Sequence, residues 1–118
     1  METLALDIGA TKIAIALLDE NHAILEKTQI PSNPLPNIWQ ELAPILAAYS
    51  PDRIGIASAG PINLRQGTIS PVNIPQWRDF PIVKLIEDIF PNKRVGLLGD
   101  GTAVALAENK LGDRKSVV

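Results

Sequence analysis

The sequence predicts an α/β fold: a mixed sheet built in the order βββαβαβα, with helices on its faces. Three observations carry this. The runs TLALDI, KIAIALLD and HAILEKTQI follow one another across two short turns, as antiparallel strands of a meander do. Apolar residues at helical spacing over 37–49, 81–90 and 102–111 then alternate with short aliphatic strands at 53–60 and 94–98. The balance of 118 residues, 46% hydrophobic and 20% charged, is that of one globular domain.

The elements follow in order. TLALDI at 3–8 is closed by Gly9, and KIAIALLD at 12–19 repeats the pattern after a tight connection. Asp19, Glu20 and Asn21 are turn residues, and the segment 22–30 supplies the third strand of the meander. Pro31, Pro34 and Pro36 exclude a central strand and make this stretch a surface connection. Asn37 is placed to cap a helix through Tyr49, with Ile38, Leu42, Ile45, Leu46 and Tyr49 on one face. Pro44 removes the bond to the Gln40 carbonyl and is expected to kink or restart that helix. RIGIASAG at 53–60 reads as a buried strand ending in small residues. Residues 61–80 hold Pro61, Pro71, Pro75 and Gly67, with GTIS as one short strand in a long irregular excursion of the kind that often carries a site. Pro81 suits a first helical turn, Ile82, Leu85, Ile86 and Ile89 or Phe90 continue the helix, and Pro91 stops it. RVGLL at 94–98 is a strand, and TAVALAENKL is a helix ending at Gly112. KSVV at 115–118 opens a further strand with no partner, as though the architecture stopped midway.

Composition narrows the function. A net charge of −2 and a pI near 5.3 give no electropositive field for direct nucleic-acid binding. With no Cys and one His there is neither a disulfide nor a zinc site, and Cys nucleophiles are excluded. No apolar run approaches the ~20 residues of a membrane span, and METLALDIG lacks the basic start of a secretory signal. The expectation is a soluble cytoplasmic protein with no membrane partner.

Two constellations can carry chemistry. In the first, Asp7 leaves the end of one strand, Gly9 turns the backbone, and Thr11 and Lys12 enter the next. Turn N–H groups can converge on a phosphate, Thr11 adds a hydroxyl, and Asp7 can hold Mg²⁺ or its waters. The same residues equally describe a plain glycine hairpin in which Asp7 accepts backbone bonds and Lys12 is solvated. In the second, Asp100 follows RVGLL at a switch from strand to helix, where a general base can meet a substrate hydroxyl. It could instead cap the helix. Ala57–Ile62 ends in small residues that admit a ligand close to the backbone, with Ser58 as a donor, or that simply pack tightly. Trp77 either lines a pocket or anchors its loop, His22 sits exposed near a turn, and Glu108 is a solvated charge. Neither a G-x-x-x-x-G-K-[ST] loop nor a G-x-S-x-G elbow occurs.

LALDIGATKIAIALLD resembles the phosphate-binding segment of the ROK family, sugar kinases and sugar-responsive repressors of the actin-like ATPase superfamily, whose usual form is DIGGTK. IGIASAGPI, SPVNIPQWRDFPIVKLIEDIF and LLGDGTAVALAE then resemble, in order, its sugar-side glycine turn, its N-x-x-W-x-x-F-P loop and helix, and its N-D-A-N-x-x-A-x-A-E segment. Within the family the likeness is greatest to the N-acetylmannosamine kinase and glucokinase branch. The resemblance implies an RNase H-like lobe in which Asp7, Gly9, Ala10, Thr11 and Lys12 face ATP phosphates and Mg²⁺, both expected only once a second lobe is present. It implies that Asp100 deprotonates a hexose or N-acylhexosamine hydroxyl, and that Ser58, Gly60, Pro61 and Gly99 lie beside the sugar.

Three departures stand out. Ala10 replaces the second glycine of the phosphate turn, Gly99 replaces an Asn that bonds the sugar, and Gly101–Thr102 replace Ala-Asn. The family's second lobe, with its other phosphate loop, E-x-x-H contacts and zinc motif, has no counterpart in residues 1–118. The expectation is therefore an amino-terminal kinase lobe that is inactive alone. The competing reading is a sugar- or nucleotide-sensing regulator lobe that has lost catalysis. Exposed lobe surface predicts a homodimer.

Overall fold

A computed structural model describes residues 1–32 and 37–98 of the chain. The Asp19–Ala23 turn shows how local chemistry sets the first elements. The Asp19 Oδ1 accepts the N–H groups of Asn21 at 2.8 Å and Ala23 at 2.9 Å, and His22 takes a left-handed φ of 66°. That side-chain-closed turn joins β2 (Lys12–Leu18) to β3 (Ile24–Pro31), and Gly9–Thr11 joins β1 (Thr3–Ile8) to β2. The third strand thus begins at Ile24, because His22 and Ala23 belong to the turn. Pro31 ends it on the sheet edge, where a missing N–H is tolerated.

Helix α1 (Ile38–Ala47) buries Ile38, Leu42 and Leu46. It runs through Pro44 as one helix, held on both sides of the proline by these buried residues. Asn37 stands at the N-cap position, yet its side chain makes no capping bond, and the helix ends at Ala47, before Tyr49. β4 (Arg53–Ser58) follows. The excursion beyond it contains two short strands, β5 (Ile62–Asn63) and β6 (Thr68–Ile69). The second was expected from GTIS, whereas its partner was not. Asn63 closes the hairpin by accepting Gln66 N–H on its side chain and Gly67 N–H on its carbonyl. Helix α2 (Ile82–Ile89) has Pro81 at its N-cap, one position before the expected first turn. It ends at Phe90–Pro91, and Asn92 at φ 70° turns the chain into β7 (Arg94–Leu98).

The main sheet has the order β3-β2-β1-β4-β7. β1, β2 and β3 are antiparallel neighbours, whereas β1, β4 and β7 run parallel. This is the mixed α/β sheet expected from the sequence, with the meander at one side. Leu4, Leu6 and Ile8 join Ile13, Ile15, Ile54 and Ile56 on one sheet face and meet Ile38, Leu42, Leu46, Ile82 and Ile86 from the helices. The parallel strands leave their carboxyl ends together, with Asp7 opposite Ala57 and Ala57 opposite Leu98. Such an edge is where open α/β sheets bind ligands. Among the described residues no helix is long and apolar enough to cross a membrane. Gly99, Asp100, Gly101, the 102–111 segment, Glu108 and KSVV lie outside the described residues.

Candidate functional site

Strand alternation puts Asp7 on the sheet face opposite Leu6 and Ile8. Its neighbours in register are Ala14 on β2 and Ala57 on β4, whose methyl groups leave room around the carboxylate. Asp7 is half-buried, and no described residue donates a hydrogen bond to it. Burial pushes its carboxyl above the usual carboxylate range, and the ammonium of Lys12 pulls it back in part.

The turn beside it is closed by the Gly9 N–H donating to the Lys12 carbonyl at 2.9 Å. A Cβ on Gly9 would stand 3.0 Å from that same oxygen, so glycine is needed for close approach rather than for a left-handed φ. Ala10 is not among the described left-handed residues, which are His22, Asp79 and Asn92. The Cβ that Ala10 adds to the turn therefore meets no left-handed backbone.

Every carbonyl of residues 9 to 11 is engaged. The Ser32 hydroxyl donates to the Gly9 carbonyl at 3.1 Å and the Ser32 N–H to the Thr11 carbonyl at 3.0 Å. The Asn73 side-chain amide donates to the Ala10 carbonyl at 3.0 Å. The N–H groups of Ala10 and Thr11 donate to no acceptor among the described residues. N–H groups of a turn that have no internal acceptor can hold an anion, and a nearby carboxylate can hold its cation.

At the end of β4 the sequence-predicted residues divide. Ser58 pairs with Ile8, is 3% exposed on the core side, and gives its hydroxyl to the Ala59 carbonyl. It is not brought together with Asp7. Gly60 has φ 91°, and a Cβ there would lie 3.2 Å from Pro71 Cα and from the Ser70 carbonyl oxygen. Pro61 is exposed, and its carbonyl accepts the Ser70 N–H at 2.9 Å. Trp77 is an anchor, not a pocket wall. It is 3% exposed and stacks on Phe80 at 4.0 Å between ring centroids, while Trp39 meets Phe80 edge-on at 5.9 Å. Ser32 and Asn73, which hold the turn, carried no signal of that role in the sequence; Asn73 sits four residues before Trp77 in the quoted SPVNIPQWRDFP string, without a local partner.

The ROK family model matches residues 3–118. The chain belongs to the ROK family. Among curated relatives of this ROK chain, the N-acetylmannosamine kinase of Yersinia pestis (strain Pestoides F) is 38% identical over 117 residues, covering 94% of this chain and 40% of the relative. The ROK hexokinase of Thermus thermophilus superposes with a TM-score of 0.74 at 33% identity, over 92% of this chain and 38% of that one. A ROK glucokinase from Streptomyces griseus, solved with glucose and AMPPNP, gives a TM-score of 0.71 at 25% identity, over 97% of this chain and 38% of that one. The chain spans about two-fifths of the length of the curated relatives it matches. The RNase H-like, actin-like architecture expected from the resemblance is the one these ROK kinases share.

Proposed function

We propose that residues 1–118 are the amino-terminal lobe of an ATP-dependent sugar kinase and supply the turn for the nucleotide's phosphates and one wall of the acceptor site. The observation that most supports this is the turn 9–12: its carbonyls accept from Ser32 and Asn73, and its Ala10 and Thr11 N–H groups have no acceptor among the described residues. Thr11 and Lys12, both exposed, add a hydroxyl and a positive charge at the same place. Among the described residues no three His, Cys, Asp or Glu side chains gather to cage a metal. A cation here would rest on Asp7 through its waters and on the phosphates, in the manner of Mg²⁺. When bound, Mg²⁺ neutralises charge on the phosphates. A half-buried carboxylate with no hydrogen-bond donor among the described residues fits that role, because a cation offsets its desolvation.

Asp100 is the proposed base. It follows Leu98 by two residues, and Leu98 is in register with Ala57, itself in register with Asp7. Gly60 and Pro61 are proposed to border the hexose or N-acylhexosamine, with Gly99 as the point of departure from the family's sugar-bonding Asn. The competing reading, a sensor lobe without catalysis, is favoured by Ala10 and Gly99 and opposed by Asp100; Ala10 is exposed and carries no left-handed strain. Phosphoryl transfer depends on positioning two substrates in a closed cleft, so turnover is proposed to require a second lobe. Self-association through exposed lobe surface, including Ile24 and Leu25 on the edge strand, belongs to the same proposal.

A coupled ADP-release assay over hexoses and hexosamines tests this. The 118-residue chain is expected to show no sugar-dependent turnover. In a form carrying a second lobe, Asp100→Asn is expected to lower kcat by about 100-fold or more, with a smaller effect on sugar affinity. An unchanged kcat would return Asp100 to a helix-cap role.

A further inference from the structure

A trans peptide carries its C=O and its N–H on opposite edges of one plane, so a side chain that grips the carbonyl also aims the N–H. In the turn, the carbonyl of Ala10 and the N–H of Thr11 belong to one such plane, and the Asn73 amide holds that carbonyl at 3.0 Å. The preceding plane, Gly9 carbonyl and Ala10 N–H, is held separately by the Ser32 hydroxyl at 3.1 Å. Two planes thus have two different clamps. Ser32 follows β3 and is 1% exposed, whereas Asn73 is exposed and comes from the excursion after β4.

That excursion is tied to the sugar-side residues. The position a Gly60 Cβ would take lies 3.2 Å from Pro71 Cα and 3.3 Å from Val72 N, and the Pro61 carbonyl accepts the Ser70 N–H. The Arg78 guanidinium donates to the Pro71 carbonyl at 2.9 Å and so stiffens the stretch just before Asn73. A continuous set of contacts therefore runs from Gly60 through 70–72 and Asn73 to the phosphate turn.

We propose that Asn73 is a positioning residue that aims the Thr11 N–H at the nucleotide's phosphate and ties the acceptor-side excursion to the nucleotide turn. This rests on the reading of the turn as a phosphate site. Occupancy of the turn then fixes the excursion, and the excursion pre-orients the turn, with Asn73 touching neither reacting atom.

The test is a titration with MgATP of a form carrying a second lobe, followed residue by residue through backbone amide chemical shifts, in wild type, Asn73→Ala, Asn73→Asp and Ser32→Ala. Wild type is expected to show saturable shifts at both Ala10 and Thr11, and a smaller one at Gly60. Asn73→Ala is expected to bind about five-fold more weakly, the size of one ordinary net hydrogen bond. It should lose the Thr11 and Gly60 responses while keeping that of Ala10. Ser32→Ala is expected to show the reverse pattern at Ala10, and Asn73→Asp, which keeps the shape but loses the donor, should behave as Asn73→Ala. A general loosening of the fold would not separate Thr11 from Ala10. If Asn73→Ala keeps both wild-type affinity and the Thr11 response, the positioning role is overturned and the phosphate site stands. If wild type itself shows no shift at residues 9 to 12, the phosphate reading fails, and the proposal fails with it.

Discussion

At the scale of single residues, Asp7 sets charge against stability. Its carboxyl is pushed above the ordinary value by burial, with Lys12 opposing, so the folded state prefers it protonated. The sign follows: Asp7 favours folding at low pH, and that contribution is lost as pH rises through its raised folded value. Asp7→Asn is therefore expected to raise Tm at neutral pH, with the difference from wild type shrinking to nothing as pH falls below the carboxylate range. Thermal denaturation across pH checks this, and a neutral-pH loss of Tm would mean that the carboxylate is paired in solution. Ser32 sits at the other extreme, buried and bonded through both its hydroxyl and its N–H. Ser32→Ala leaves the Gly9 carbonyl without that donor and is expected to cost about 1–2 kcal/mol in denaturant titration.

At the scale of elements, the regular strands were legible because each carries its own period. TLALDI and KIAIALL appear where their aliphatic runs put them, and the Asp19–Asn21 turn announces itself through a side chain that bonds its own neighbours. The α1 boundary was less legible, since Pro44 argued for a break that buried contacts on either side override. The site was half legible. Asp7, Gly9 and Lys12 fall within one six-residue stretch, but Ser32 and Asn73 reach the turn across 23 and 63 residues, and no local pattern encodes such a contact. The register that puts Ser58 beside Ile8, on the face away from Asp7, likewise belongs to strand pairing and not to composition. Asp100, Gly99 and the helix after them lie outside the described residues. The excursion is expected to behave as one unit anchored by Trp77. Trp77→Ala removes a side chain stacked on Phe80 within the core and should cost about 3–5 kcal/mol in chemical denaturation. Gly60→Ala, at φ 91° and against the 70–72 backbone, is expected to destabilise by about 1–3 kcal/mol and to disturb the same unit.

At the scale of the whole molecule, the fold brings the Asp7 carboxylate, the Gly9–Thr11 turn and the carboxyl ends of three parallel strands to one edge. Exposed Ile24 and Leu25 on the edge strand should favour self-association, and light scattering over a concentration series is expected to show a dimer. A strict monomer at high micromolar concentration would remove that part of the proposal. The central claim is that the edge holds the phosphates of MgATP, and calorimetry on wild type and Asp7→Asn, each in a form carrying a second lobe, measures it most directly. Wild type is expected to bind MgATP saturably and to need Mg²⁺ for full affinity. Asp7→Asn, folded and more heat-stable, should bind about ten-fold or more weakly and lose the Mg²⁺ dependence, as expected when a charged contact is removed. Equal affinity in the two proteins, or no binding by wild type, would contradict the claim.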